Sequence, residues 1–306
     1  MSQHKGILGK ISPKNVISFL VIILILFYLL HFLYENWIEV STFDFQLKYH
    51  YLLISLPVLF GFFLLRVYCW RMILKKMDIF LSMRKSMKIS FVSMMGRYLP
   101  GKVWLIMGKV YLSGKEGVPR VEAFASVVME IVLEIVASIF FFFFFLFSFT
   151  EQSLLSHKVI YFLGVIMVVG LVFLHPKVFY RIINFILLRW KNEEIKTCMR
   201  YRDIIQLFAV YNLIVLFQGI AFYFFVNAIC YVSLNNILGL TGSLAIAGAL
   251  GTLSVFSPSG LGVREGILAL LLTNYVISPM AVLISLLARI WITLGEIICA
   301  LFAWRL

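Results

Sequence analysis

Ser257–Gly266 reads SPSGLGVREG, ten residues that place Pro258, the glycines Gly260, Gly262 and Gly266, and the charged pair Arg264 and Glu265 inside otherwise apolar sequence. Backbone that breaks a helix at membrane depth survives only where protein or a water-filled cavity satisfies its freed polar groups, and charges there need partners. Gly96–Trp104, GRYLPGKVW, repeats the pattern, with Pro100 and Gly101 between the cations Arg97 and Lys102. The helix breakers Gly96, Pro100, Gly101, Pro258, Gly260 and Gly262 therefore mark two candidate sites.

The surrounding composition sets the class. Hydrophobic residues make up 62% of the 306, with 30 Phe and a mean hydropathy of +1.01, against roughly 45–50% in soluble domains. Several runs are long enough to cross a bilayer. The expectation is an all-α polytopic membrane helix bundle, one integral domain over residues 1–306. A net charge of +13 would point to nucleic acid if the cations formed one stripe or tail. They sit instead in short loops between apolar runs, so no nucleic-acid partner is expected. Cys69, Cys198, Cys230 and Cys299 are scattered without a C-x-x-C and read as buried apolar thiols. The five histidines (His4, His31, His50, His157 and His175) show no helical pairing, and no metal or cofactor is implied.

Lys5, Lys10 and Lys14 precede the apolar run Val16–Tyr34, which reads as an uncleaved first span. An acidic loop with Glu35, Glu39 and Asp44 leads to a second span, Tyr49–Trp70, with Arg66 near its end. Arg71, Lys75, Lys76, Arg84, Lys85 and Lys88 then form a basic segment patterned like a helix lying on the membrane surface. Residues 89–110 are apolar, but Pro100 and Gly101 split them into halves of about 11 and 9 residues, too short to cross ~30 Å. A re-entrant hairpin returns Lys109, Lys115 and Arg120 to the side of the basic segment.

The third span, Ala123–Phe149, carries Ser126, Glu130, Glu134 and Ser138 at i+4 spacing, hence on one helix face. The two glutamates lie roughly 10 and 16 Å from its start. The fourth span is Val159–Leu174, and the basic stretch Pro176–Asp203 reads as a cytoplasmic loop. The fifth span, Ile204–Cys230, places Tyr211 and Gln218 on one face at i+7. Residues 240–277 form the second broken region, and the last span, Met280–Ala303, puts Arg289 and Glu296 on one face.

Six full spans with both termini cytoplasmic place 21 of the 27 Lys and Arg inside, two outside (Lys48 and Lys158) and four within the membrane, as the positive-inside rule requires. The first hairpin then enters from the cytoplasm and the second from outside, with their tips meeting near mid-membrane. Eight ionisable residues become intramembrane: Arg97, Lys102, Arg264 and Arg289 against Glu130, Glu134, Glu265 and Glu296. At roughly 2.5–3.5 kcal/mol each, eight unpaired charges would cost on the order of 20 kcal/mol, so they must face inward and largely pair. They either lock the bundle or build a substrate site. Hydrophobic isosteres would lock it without the desolvation cost, which favours the site.

Glycine-freed N–H groups and arginine favour an anion, and a phospholipid or polyprenyl-phosphate headgroup fits that chemistry. GRYLPGKVW, KVYLSGKEGVP (Lys109–Pro119), ASVVMEIVLEIVA (Ala125–Ala137) and SPSGLGVREG resemble the transmembrane region of the lysylphosphatidylglycerol synthase family, also called flippase-like integral membrane proteins. The resemblance implies a bundle with re-entrant helices that moves a modified phospholipid or lipid-linked intermediate between leaflets. By motif match it assigns Arg97, Pro100, Gly101, Glu130, Gly260, Gly262, Arg264 and Glu265 to the site.

Family members that synthesise aminoacyl lipids append a soluble catalytic domain, whereas this chain stops at Leu306. The expectation is a transporter rather than an enzyme, in the cell membrane, with membrane lipids as partners and a separate lipid-modifying enzyme supplying any aminoacylated substrate. Nothing in the pattern fixes an oligomeric state. A nonlipid solute or ion transporter would use the same paired charges, and stand-alone relatives could serve cell-surface polysaccharide pathways. A membrane glycosyltransferase would need an acidic pair in a large external loop, and Glu35, Glu39 and Asp44 lack a D-x-D arrangement. The glycines are not a nucleotide motif, because no strand precedes them and no P-loop lysine occurs.

Overall fold

The computed structural model describes residues 25, 27–41, 47–98, 103–148, 157–191, 195, 199–254, 257 and 260–305. Lys5, Lys10, Lys14, the start of the first span, Asp44, Pro100, Gly101, Lys102, Cys198 and Pro258 lie outside them. The described residues are helical throughout their ordered elements: α1 (27–35), α2 (Trp37–Ser41), α3 (Tyr49–Lys76), α4 (Met83–Met94), α5 (Val103–Lys115), α6 (Arg120–Ser148), α7 (His157–Phe173), α8 (Pro176–Lys191), α9 (Tyr201–Asn227), α10 (Ile237–Leu253), α11 (Val263–Leu272) and α12 (Ser278–Trp304). Short 3-10 turns occupy Met95–Tyr98 and Leu234–Asn236.

Among the described residues five helices are long and apolar enough to cross a membrane: α3, α6, α9, α12 and α10 together with its preceding turn. The chain is a multi-pass membrane protein. The expected third, fifth and last spans appear within three residues of their sequence-based bounds. The expected fourth span appears as α7, 17 residues long, followed across a 76° bend by α8. The second broken region has unequal arms, because α10 with its turn can cross alone while α11 has ten residues.

Two basic stretches are also more structured than their charge implies. Arg71–Lys76 continues α3 and Met83–Lys88 opens α4, so the basic segment is split between two helices rather than forming one. Ile73, Leu74, Ser86 and Ile89 bury one side of these turns, while the long cationic side chains can reach outward. Ser82 caps α4 by accepting from the Lys85 N–H at 3.4 Å. Residues 176–191 form α8 rather than a loop, since Phe179, Tyr180 and Ile183 recur at helical spacing and are buried. Lys76 ties the end of α3 to the start of α9 through Asp203 and, at 3.0 Å, Gln206.

Helix α6 is the centre of the bundle, packed against α3, α5, α7, α9 and α10. Without a hydrophobic drive between helices in lipid, small residues that let backbones approach supply the packing. Helix α10 carries Gly239, Gly242, Ser243, Ala245 and Ala249, and a Cβ on Gly242 would stand 2.4 Å from the Phe141 carbonyl of α6. The buried thiols Cys69, Cys230 and Cys299 are free, as expected.

Gly260 shows why the second break needs glycine. Its φ is +70°, and an added Cβ would lie 2.7 Å from the Gly251 Cα on α10. The left-handed conformation costs an L-residue about 1–2 kcal/mol before any clash. Gly260→Ala is therefore expected to destabilise the protein by at least ~2 kcal/mol, read as a lowered melting midpoint in detergent. An unchanged midpoint would mean that the break relaxes freely.

Candidate functional site

The face of α6 predicted from its i+4 spacing is where the first charge cluster forms. Glu130 accepts from Arg66 Nε at 3.2 Å and from Lys109 Nζ at 2.6 Å, and Glu134 accepts from Arg66 Nη2 at 2.7 Å. Lys109 also stands 4.2 Å from the ring centroid of Trp70, a cation–π contact. The indole Nε1 of Trp70 donates to Ser126 Oγ at 3.1 Å. Ser138 turns back to the Glu134 carbonyl at 2.7 Å.

Arg66 and Lys109 were expected at the cytoplasmic ends of their segments. Instead α3 runs six residues past Trp70, and α5 runs to Lys115, so both cations lie inside helices and point at Glu130. Lys109 is 6% exposed and Glu130 5%. The available signal was register: Arg66 and Trp70 share a helix face, as do Glu130 and Ser126, so one pairing brings the other. The four-against-four balance of the expected set hid the need for further cations.

A second cluster joins the two broken regions through α12. Arg97, in the 3-10 turn that ends the first arm, pairs with Glu296 at 2.6 Å. The Tyr98 hydroxyl donates to the other Glu296 oxygen and lies 3.2 Å from Thr293 Oγ1. The Arg289 guanidinium sits 5.7 Å from the Tyr98 ring centroid and 3.7 Å, through Nε, from Glu265 Oε1. Glu265 in turn accepts the Gly262 N–H at 2.7 Å, capping α11. The chain of contacts thus runs from the Arg97 turn to the Gly262 turn, with Arg289 and Glu296 on the α12 face that their spacing implied. Tyr98 carried no sequence signal beyond its place in GRYLPGKVW.

Between the clusters lies a cavity of about 230 Å³. Arg66, Arg97, Arg264, Glu134, Glu296 and Tyr211 line it, with Gln218 on the same face of α9 as Tyr211. The structure therefore brings Arg97, Glu134, Arg264 and Glu296 around one space. Glu130, Glu265 and Arg289 stand behind its wall, and Lys102 lies outside the described residues. On the far side of Arg66 and Arg97, a void of about 40 Å³ is bordered by Lys109, Glu130 and Ser90.

Two groups in the large cavity stand out among the described residues. Arg264 makes no hydrogen bond or ion pair, although charges of both signs, Arg289 and Arg97 against Glu265 and Glu296, lie near it. Tyr211 is 1% exposed and its hydroxyl has no hydrogen-bond partner. Buried polar groups are normally satisfied, so the orphaned Tyr211 hydroxyl, together with the half-buried Arg264 guanidinium that lines the same cavity, points to a ligand that supplies acceptors.

A family model described as the lysylphosphatidylglycerol synthase TM region matches residues 15–298. A search of curated proteins found no match to the chain.

Proposed function

Because the chain belongs to the lysylphosphatidylglycerol synthase transmembrane-region family, we propose that it moves an anionic or modified phospholipid, or a lipid-linked intermediate, between membrane leaflets. The headgroup passes through the cavity between α6, α9, α10 and the two broken regions, while the acyl chains stay in lipid. The observation that carries this reading is Arg264, unpaired among the described residues beside Arg97 and Arg66. A guanidinium fork matches phosphate oxygens and is the side chain suited to holding them in a partly dry site.

Size favours a headgroup over a whole lipid, because the cavity's 230 Å³ falls below the roughly 300–1,000 Å³ of pockets that enclose drug-sized ligands. Tyr211 and Gln218, which also line the cavity, offer hydrogen bonds to headgroup hydroxyls. The protein acts in this reading as a transporter rather than an enzyme, receiving its lipid from a separate lipid-modifying enzyme. Its basic ends, including Lys75, Lys76, Arg84, Lys85, Lys115 and Arg120, face the cytoplasm of a cell membrane.

Reconstituted vesicles carrying fluorescent lipids test this directly. Wild-type protein is expected to exchange phosphatidylglycerol, its aminoacylated form or polyprenyl phosphate between leaflets faster than protein-free vesicles. Uptake of a soluble ion or solute with no lipid exchange across that panel would overturn the reading in favour of a solute carrier.

A further inference from the structure

Arg66 is shared unequally between two carboxylates. Its Nε faces Glu130 at 3.2 Å, and its Nη2 faces Glu134 at 2.7 Å. Glu130 keeps a second cation, Lys109, at 2.6 Å, and borders the small void rather than the large cavity. Glu134 has no ion-pair partner but Arg66 among the described residues, and it lines the large cavity with its side chain 30% exposed. The edge of Arg66 that a phosphate could reach is therefore the edge that holds Glu134.

Glu296, the other carboxylate on the cavity, is differently placed. If a phosphate draws Arg97 away, Tyr98 still donates to Glu296. Glu134 has no such reserve. The titratable and charged groups around it are Arg66 on α3, Lys109 on α5, Glu130 on α6 and Tyr211 on α9, with Arg97, Arg264 and Glu296 across the cavity. Helix α10 and residues 164–172 of α7 present no titratable side chain.

We propose that Glu134 couples headgroup binding to the uptake of one proton, so that a proton gradient drives the lipid through the cavity. This rests on the phosphate reading above. When a phosphate takes the Nη2 edge of Arg66, Glu134 loses its only cation, and an uncompensated carboxylate within the membrane is costly. It takes one proton from water in the cavity, which bulk buffer replaces. When the phosphate leaves, Arg66 returns and the proton is released. Arg66 remains anchored throughout by Glu130, which Lys109 holds in place.

The test is calorimetric titration of the detergent-solubilised protein with the soluble short-chain lipid dihexanoylphosphatidylglycerol, in two buffers of different ionisation enthalpy. Wild type is expected to take up one proton per ligand, with Kd weakening by up to about tenfold per pH unit, as linkage between two ligands requires. Glu134→Gln, which mimics the protonated acid, should bind more tightly, take up no proton and show a Kd independent of pH. Wild-type binding without proton uptake overturns the coupling and leaves the transport reading standing. Persistent uptake in Glu134→Gln also overturns it, by moving the proton to another group. Absence of binding by wild type at every pH sinks the phosphate reading and the coupling together. Should Glu134→Gln fail to fold, the wild-type count still tests the coupling, since one proton per ligand supports it and none overturns it.

Discussion

Glu130→Ala is expected to lower the melting midpoint of the detergent-solubilised protein by roughly 10 °C, corresponding to about 3–5 kcal/mol. Glu130 joins Arg66 and Lys109 at 3.2 and 2.6 Å, and all three come from different helices: α6, α3 and α5. Removing the carboxylate leaves Lys109, at 6% exposure, with the face of Trp70 as its one remaining side-chain partner among the described residues. A buried charge that loses its counterion costs more than the pair itself contributes. Adding Lys109→Met to a Glu130→Leu background should therefore recover most of the loss, because Arg66 keeps Glu134. A loss below about 1 kcal/mol in the single variant, the range of exposed pairs, would show that the cluster is hydrated and does not hold the three helices together.

Arg264→Ala should reduce lipid exchange to the rate of protein-free vesicles while the melting midpoint barely moves. These two outcomes follow from the same observation. Among the described residues Arg264 has no hydrogen bond or ion pair, so its removal orphans no partner, in contrast to Glu130. Yet it lines the cavity with Arg97 and Arg66, and a phosphate between them would lose its most available fork. Arg264→Lys should restore part of the rate, since an ammonium supplies charge without bidentate geometry. Wild-type exchange in Arg264→Ala would sink the assignment of the phosphate site. Exchange lost together with a large fall in melting midpoint would instead make Arg264 structural.

Much of this was legible in residue patterns. Ser126, Glu130, Glu134 and Ser138 at i+4 had to share a face, and the cost of intramembrane charge meant that the face looked inward. The same two arguments placed Arg289 and Glu296 on one side of α12, and Tyr211 and Gln218 on one side of α9. The pattern misplaces Arg66 and Lys109, because it starts loop charge where the apolar run ends. A long cationic side chain within a helix is invisible to that rule when its partner comes from another helix. Residues 176–191 were misread for a related reason: seven cations between 176 and 203 masked a helical repeat of apolar residues.

The sequence by itself determined that this chain is an all-helical membrane protein, that its helices break at two glycine-rich stretches, and that its intramembrane charges face the protein interior. These follow from local chemistry: the length of apolar runs, the backbone demands of glycine and proline, and the cost of an ion in hydrocarbon. Which acid meets which base was decided only by the tertiary structure. Each pairing depends on the rotation and axial offset of two helices far apart in sequence, and a shift of one turn, about 5.4 Å, would exchange partners. Close backbone approaches such as Gly242 on Phe141 and Gly260 on Gly251 fix α10 against α6 and the second break against α10, which turns Arg264 toward the cavity. The packing of α3 and α5 on α6 gives Lys109 to Glu130 and leaves Arg66 as the one ion-pair partner of Glu134 among the described residues.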